Sequence, residues 1–233
     1  MRNCGALEES VVCMIGGESD PRRLSAWIQW HSFDFMAIER RRNHRSHSRI
    51  LEMLASGFGE RRFSILDIGV LSTVTLEKLN ETPGLRVDYV GVDISLPIIR
   101  DAQRRHPEVS WIHGDIAALP LNDSSFDCVI VRHVLEHVED PIRAIREVGR
   151  VAREMAIFCF FLPPEAHERR RRDVYEDGVI FHNVWNRSAI FDELRLLFSS
   201  VDVESVDDWY RPNELFVCMK RISEKPVSNQ AGR

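Results

Sequence analysis

The stretch from FSILDIG (63–69) to FDCVIVRH (126–133) alternates short apolar runs with segments in which apolar residues recur at helical spacing. This alternation is typical of a doubly wound α/β sheet. Further apolar runs follow toward the C-terminus, and the seven predicted strands lie at 63–69, 87–93, 109–114, 126–133, 156–162, 201–206 and 214–220. Because no full helix separates the last two strands, we expect them to form an antiparallel hairpin. The predicted fold is a Rossmann-like, seven-stranded α/β sheet with helices on both faces.

Helices are predicted between these strands, at about 73–81, 96–106, 140–153 and 187–198. Two more helices precede the first strand. The first begins at Asp20-Pro21, because Asp caps free N–H groups and Pro loses no hydrogen bond at the first helical position. Residues 1–19 and 223–233 have no periodic apolar face and are predicted to be flexible tails. The predicted organisation is therefore a helical cap over residues 20–58 and an α/β core over residues 59–222.

Length and composition exclude several classes of protein. A chain of 233 residues with 44% hydrophobic and 29% charged residues is typical of one globular domain. No apolar stretch approaches the roughly 18–20 residues of a membrane span, and Glu8 and Glu9 interrupt the N-terminus where a signal peptide needs an apolar run. We therefore expect a soluble, cytoplasmic protein. The five cysteines form no CxxC pair and have no histidines at zinc spacing, so neither disulfides nor a metal ion are expected.

The charge pattern argues against nucleic acid as a partner. The net charge is −5, although arginines cluster in residues 40–49 and 169–172. Domains that bind nucleic acid usually carry a basic balance over the whole domain. We interpret the two clusters as solvated faces or loops, with contact to an anionic substrate or partner as the alternative.

Polar residues follow the ends of four predicted strands. Asp67 and Gly69 end the first strand, Asp93 ends the second, and Asp115 follows the third. The segment from His133 to His137 follows the fourth. In open α/β sheets the ligand binds beyond the carboxyl ends of the strands, at the point where the strand order reverses. These polar residues are therefore expected to converge on one edge of the sheet.

Four segments of the chain form a characteristic set of motifs: ILDIG (65–69), YVGVDIS (89–95), HGDIAALPLNDSSFDCVIVRHVLEHVEDP (113–141) and FHNVWNRSAI (181–190). Together they resemble the class I S-adenosylmethionine-dependent methyltransferases, and especially their small-molecule branch with a methyltransferase-11-like core. The third segment is the most specific, because its long pattern follows VGVD at the distance that this family shows. The resemblance implies an enzyme that uses S-adenosylmethionine as cofactor. It would transfer a methyl group to an oxygen, nitrogen or carbon of a small-molecule acceptor.

The resemblance also implies a set of cofactor-binding residues. A carboxylate at the end of the second strand can accept hydrogen bonds from two ribose hydroxyls, which assigns this role to Asp93. Asp115 would accept a hydrogen bond from the adenine amino group, and the backbone of Ile116 would meet the ring. A turn or helix cap is the alternative role for Asp93, and a loop position is the alternative for Asp115. The implied cofactor-binding residues are Asp67, Gly69, Leu71, Asp93, Ile94, Asp115, Ile116 and Arg132.

The glycine motif after the first strand is incomplete. The family pattern is acidic-x-Gly-x-Gly-x-Gly, whereas residues 67–73 read DIGVLST, with Leu71 and Thr73 in two glycine positions. A side chain at these positions disfavours positive φ, although the hydroxyls of Ser72 and Thr73 are expected to cap the next helix. The alternative function is therefore a catalytically inactive, methyltransferase-like binding or partner subunit, and a homodimer or a partner protein is left open. A nicotinamide-dependent oxidoreductase is disfavoured, because its G-x-G-x-x-G turn is absent.

Two histidines and a tyrosine are the candidate catalytic residues. His133 lies where the resemblance places groups that flank the methionine and the acceptor. A histidine can remove a proton from a hydroxyl or an amine, because its pKa lies near neutral pH. In the relatives, an insertion after the fifth strand forms a lid over the acceptor together with the N-terminal helices. His182 and Tyr175 lie in this insertion and are candidates on the acceptor side. Scaffold or solvated positions are the alternatives for all three.

Overall fold

The computed structural model describes residues 44–175, 178–208 and 211–221. The two predicted tails and the predicted cap up to residue 43 lie outside the described residues. The described part of the cap is helix α1 (Arg45–Phe58), which matches the second predicted helix. It buries Ile50 and Leu54, whose spacing predicted it.

Strands and helices alternate along the rest of the chain. In order they are β1 (Arg62–Ile68), α2 (Val74–Glu81), β2 (Arg86–Asp93), α3 (Leu96–Arg105), β3 (Ser110–His113), β4 (Phe126–Arg132), a 3₁₀ turn (Leu135–His137), α4 (Pro141–Val151), β5 (Ala152–Phe160), β6 (Arg172–Tyr175), β7 (Gly178–Phe181), α5 (Arg187–Leu197), β8 (Ser200–Asp207) and β9 (Pro212–Met219). Helix α4 is capped by Asp140, whose side chain accepts a hydrogen bond from the Arg143 amide at 3.0 Å.

The main sheet has seven strands in the order β3-β2-β1-β4-β5-β9-β8. The strands from β3 to β5 in this order pair in parallel, while β9 pairs antiparallel with both β5 and β8. The predicted doubly wound sheet and its final antiparallel hairpin are therefore confirmed. The strand order reverses between β1 and β4, so the ligand-binding edge predicted for such sheets lies at their carboxyl ends. The separate two-stranded sheet of β6 and β7 was not predicted, because four-residue strands carry too short an alternating pattern.

Apolar clusters cover both faces of the main sheet. On one face, Ile50 and Leu54 of α1 pack against Ile65 and Ile130. On the other face, α4 and α5 pack on the sheet through a cluster that includes Val129, Val131, Ile145, Val148, Ile190 and Leu194. Successive strand residues point to opposite faces. Asp67 and Arg132, two residues beyond Ile65 and Ile130, are therefore on the α1 face at the carboxyl edge.

None of the helices in the described ranges is long and apolar enough to cross a membrane.

Candidate cofactor site

The loop after β1 begins with a glycine that no other residue can replace without strain. Gly69 has a φ of +81°, a conformation that favours glycine. A Cβ atom on Gly69 would lie 2.3 Å from Cγ2 of Val134, which follows β4. The Gly69 amide donates to the Val92 carbonyl at 2.8 Å, so the loop stays attached to the end of β2. The loop therefore passes closely between the ends of three adjacent strands.

Leu71 and Thr73 keep the backbone conformation that glycine would adopt, although each carries a side chain. Their φ angles are +35° and +59°. Such conformations cost of order 1–3 kcal/mol for residues other than glycine, and a β-branched residue is the least suited to them. The Leu71 side chain packs against the cluster of Val70, Leu76 and Ile98. Leu71 and Thr73 therefore add side chains to this loop, while its backbone keeps the positive φ angles that are typical of glycine.

The expected capping of α2 by the Thr73 hydroxyl is wrong. Thr73 is the N-cap residue, yet its side chain makes no capping hydrogen bond. Its Oγ1 lies instead 3.0 Å from Oε1 of Glu77 and accepts a hydrogen bond from Nη1 of Arg105 at 2.7 Å. Because the left-handed backbone turns this hydroxyl away from the helix amides, it reaches the side chains of α2 and α3. Ser72 is buried beside it.

Asp93 ends β2 and is almost fully buried. Its Oδ1 accepts a hydrogen bond from the Ser95 amide at 2.8 Å, and its Oδ2 lies 3.4 Å from the Leu71 amide. Burial raises the pKa of Asp93 from an ordinary value of 3.8 to about 6. The Ser95 hydroxyl is also buried and has no hydrogen-bond partner among the described residues. Asp93 thus joins the start of α3 to the loop after β1. The carbonyl oxygen of the next residue, Ile94, accepts a hydrogen bond from Nε2 of His113 at 2.9 Å.

Asp67 is held by a side chain from the neighbouring strand. The Tyr89 hydroxyl donates to Oδ2 of Asp67 at 2.6 Å. Burial raises the pKa of Asp67 to about 6, against the lowering effect of this hydrogen bond and of the Arg132 charge. Asp67 is therefore a buried carboxyl group that protein donors already fix in place.

Arg132, at the end of β4, carries the clearest sign of a missing partner. Its Nε and Nη2 atoms are buried and have no hydrogen-bond partner in the described part of the chain. The Nδ1 atom of His47 on α1 is also buried and has no hydrogen-bond partner among these residues. Burial and the nearby Arg132 charge both lower the pKa of His47. The structure thus brings a cation and an unpaired imidazole nitrogen together on the α1 face.

The predicted adenine-side residues follow β3. Oδ1 of Asp115 accepts a hydrogen bond from the Ala117 amide at 2.8 Å, which closes a short turn. The Ile116 side chain is buried in the main core beside Leu119. The turn therefore fixes the backbone of Ile116 at the same carboxyl edge as Asp93.

The candidate catalytic histidines lie on two sides of Phe161. The ring of His133 is 5.3 Å from that of Phe161, and the ring of His182 is 6.5 Å from it. Nε2 of His133 lies 3.1 Å from Nδ2 of Asn213, so it accepts from the amide, and burial lowers the pKa of His133. Nδ1 of His182 lies 3.0 Å from Oδ2 of Asp173. Tyr175 ends β6 in the same hairpin, but its side chain lies outside the described residues.

A polar cluster at the N-terminus of α1 was missed by the sequence analysis. Oδ2 of Asp208 accepts hydrogen bonds from the Ser46 hydroxyl at 2.7 Å and from Nδ2 of Asn213 at 3.0 Å. Nδ1 of His44 lies 3.3 Å from Oδ1 of the same carboxylate. Since Ser46 and Asp208 are 162 residues apart, no local pattern in the sequence indicated this contact.

Comparison with known families agrees with this geometry. Residues 66–160, which contain the end of β1, the strands β2 to β5 and the loops after β1 to β4, match the sequence profile of the family described as a methyltransferase domain. The seven-stranded sheet with helices on both faces is the fold that the resemblance implied. Residues 66–160 belong to a class I S-adenosylmethionine-dependent methyltransferase domain.

Relatives of this methyltransferase domain are found by sequence and by fold. A demethylmenaquinone methyltransferase of Renibacterium salmoninarum is 39% identical over 67 residues, which cover 29% of this chain and 28% of that protein. The magnesium protoporphyrin IX methyltransferase of Synechocystis PCC 6803, solved with bound S-adenosylmethionine, is 15% identical with a TM-score of 0.58, over 76% of this chain and 79% of that one. A putative methyltransferase of Haloferax volcanii, solved in complex with a methyltransferase activator, is 16% identical with a TM-score of 0.58, over 82% and 96%.

The chain spans about a quarter to a half of the length of the curated relatives that it matches. The solved structures share the methyltransferase fold with this chain at low sequence identity. The reaction and the acceptor must therefore be argued from the site itself.

Proposed function

We propose that this protein binds S-adenosylmethionine and transfers its methyl group to an oxygen, nitrogen or carbon of a small-molecule acceptor. The transfer is an in-line displacement at a sulfonium, so the protein acts mainly by aligning donor and acceptor and by excluding water. No covalent residue is required. The free, buried cysteines Cys128, Cys159 and Cys218 support a reducing compartment, and we assign the protein to the cytoplasm.

The observation that carries this proposal is that Nε and Nη2 of Arg132 are buried and have no hydrogen-bond partner among the described residues. Buried guanidinium nitrogens without a partner are costly, and a carboxylate is the group that an arginine binds best. The methionine end of S-adenosylmethionine carries a carboxylate. Arg132 follows Val131, which pairs with Ile68 directly before Gly69, and the Arg132 charge acts on His47. We therefore assign the methionine carboxylate to the unpartnered nitrogens of Arg132 and to Nδ1 of His47.

The nucleotide half of the cofactor is assigned to the ends of β2 and β3. Asp93 would accept hydrogen bonds from the ribose hydroxyls, and the unpaired Ser95 hydroxyl is available beside it. Asp115 would accept from the adenine amino group, with the backbone of Ile94 and Ile116 against the ring. Asp67 and Gly69 would line the methionine end of the site. The hydrogen bond from Tyr89 holds Asp67 in place, and Gly69 allows the close approach of the loop to Val134.

On the acceptor side, His182 is the better candidate for a general base. Asp173 holds its Nδ1, which leaves Nε2 as the basic nitrogen. The Nε2 atom of His133 already accepts from Asn213, so we assign His133 a role in shaping the acceptor site. Tyr175, in the same hairpin as His182, is proposed as a second acceptor contact.

Calorimetry with S-adenosylhomocysteine tests cofactor binding, and transfer of a labelled methyl group from S-adenosylmethionine to extracts of small metabolites tests the reaction. We expect binding and transfer, with transfer reduced in His182→Gln while S-adenosylhomocysteine affinity is unchanged. His167→Gln, a change of the same kind in the same insertion, is the control. Binding without any transfer would support the alternative of an inactive partner subunit. No binding would refute the proposal.

Cofactor affinity should depend on pH through Asp93. The ionised carboxylate accepts the ribose hydroxyls, and the pKa of Asp93 is about 6. S-adenosylhomocysteine affinity is therefore expected to be full above about pH 7 and to fall by up to tenfold per pH unit below about pH 6. The stability of the unliganded protein depends on pH in the opposite direction. Because the pKa of Asp93 is raised on folding, the carboxyl group stabilises the folded state near pH 4, and this stabilisation is lost as pH rises through about 6. Calorimetry across this range should show a shallower pH dependence for Asp93→Asn than for the parent, with the remaining slope due to Asp67, whose pKa is also about 6. A slope as steep as that of the parent would contradict the assignment.

A further inference from the structure

The loop after β1 is tied to α3 through the side chain of Thr73. Nη1 of Arg105 donates to Oγ1 of Thr73 at 2.7 Å, and Nη2 of Arg105 lies 3.4 Å from the Ser72 carbonyl oxygen. Thr73 has no solvent exposure. Because these contacts reach both the side chain and the adjoining backbone, they restrain the loop at its β-branched residue, the type least suited to a positive φ angle.

Arg105 is itself braced from two helices. Its Nε donates to Oδ2 of Asp101 on α3 at 2.9 Å, and its Nη1 lies 3.3 Å from Oε1 of Glu77 on α2. Nε2 of His106 lies 3.4 Å from Oγ1 of Thr73. The side chain of Arg105 is only 24% exposed. The guanidinium therefore connects the loop with α2 and α3 in a fixed geometry.

The need for this restraint follows from the altered glycine motif. Glycine adopts a left-handed conformation without steric cost, whereas threonine requires other interactions to hold it there. Thr73 has a φ of +59°. The charge-assisted hydrogen bond from Arg105 is an interaction of the kind that can hold this conformation. At position 73 the chain thus lacks the conformational freedom of glycine, but it has a side-chain hydroxyl that Arg105 can bind.

We propose that Arg105 is a positioning residue for the cofactor, which acts by holding Thr73 in the conformation that a glycine would adopt. This inference rests on the proposed function, since the loop is assigned to the methionine end of S-adenosylmethionine. Arg105 does not contact the cofactor in this proposal. It keeps the backbone from Leu71 to Thr73 in place, so the loss of two glycines preserves the shape of the site.

Calorimetry with S-adenosylhomocysteine and with adenosine tests this role. Arg105→Met and Thr73→Val are expected to weaken S-adenosylhomocysteine binding by about tenfold and to leave adenosine binding unchanged, because only the methionine half contacts the loop. Thr73→Ser keeps the hydroxyl and should retain affinity. Arg104→Met is the matched control, because its guanidinium is 73% exposed and pairs with Asp101. A variant that folds poorly loses affinity for both ligands equally. A change in the ratio of the two affinities therefore reports on the loop and not on folding.

A double variant makes the test independent of stability. In a Thr73→Gly background the backbone no longer needs the restraint, so adding Arg105→Met should have no further effect on the affinity ratio. An Arg105→Met change that leaves the affinity ratio of the Thr73 chain as in the parent, or that lowers the ratio as much in the Thr73→Gly background as in the Thr73 chain, would overturn the inference alone. A parent chain that binds neither ligand would overturn the proposed function and this inference with it.

Discussion

Replacing Arg132 with methionine is expected to weaken S-adenosylhomocysteine binding by about 10- to 150-fold, which corresponds to about 1.5–3 kcal/mol for a lost charged hydrogen bond. The same change is expected to raise the midpoint of thermal unfolding of the unliganded protein. The reason is that two buried guanidinium atoms have no partner among the described residues, and a methionine of similar shape needs none. Affinity and stability should therefore move in opposite directions.

Arg153→Met is the matched control for this prediction. Arg153 pairs with Asp127, with a distance of 2.6 Å between Nη1 and Oδ1, at the opposite end of the sheet from the site. Its removal should lower stability and leave S-adenosylhomocysteine affinity unchanged. Calorimetry and thermal unfolding of both variants separate the two effects. If Arg132→Met binds the ligand as tightly as the parent, the carboxylate is held elsewhere and the assignment fails.

The sequence predicted the fold well because its signals are local. Short runs of six to eight residues mark the strands, and Asp140 before Pro141 marks the start of α4. The positions of Asp93 and Asp115 follow from the rule that ligands bind at the carboxyl ends of parallel strands. These features need only neighbouring residues or strand order, and both can be deduced from one sequence.

The rest of the site depends on contacts between distant segments. A sequence pattern shows that Leu71 and Thr73 replace glycines, but it does not show that both keep positive φ angles. The partner of Thr73, Arg105, is 32 residues away on another helix. Likewise, Arg132 is an ordinary residue at a strand end until packing removes water from its guanidinium. Such properties arise from tertiary packing, which local periodicity does not encode.

The insertion between β5 and α5 is attached to the turn after β4 by residues of the FHNVWN motif. Nε1 of Trp185 donates to the Leu135 carbonyl at 2.7 Å, and the Trp185 ring is 1% exposed. Nδ2 of Asn183 donates to the Val138 carbonyl at 3.0 Å, and the Asn183 amide donates to the Glu136 carbonyl at 2.8 Å. Because these contacts join the two segments that carry the candidate acceptor-side histidines, the packing of Trp185 couples fold stability to the acceptor site.

Trp185→Ala is therefore expected to lower the free energy of unfolding by about 3–5 kcal/mol, the range for truncating a buried aromatic side chain. Denaturant unfolding measures this loss, and Leu196→Ala is the control, since Leu196 is 80% exposed and should change stability by less than about 0.5 kcal/mol. Trp185→Phe keeps most of the ring and should lose less. Under conditions where Trp185→Ala remains folded, methyl transfer should fall more than S-adenosylhomocysteine affinity, because the insertion positions His182 while Asp93 and Arg132 lie on other elements. An equal fall of both would show that Trp185 stabilises the whole domain without a separate effect on the acceptor site.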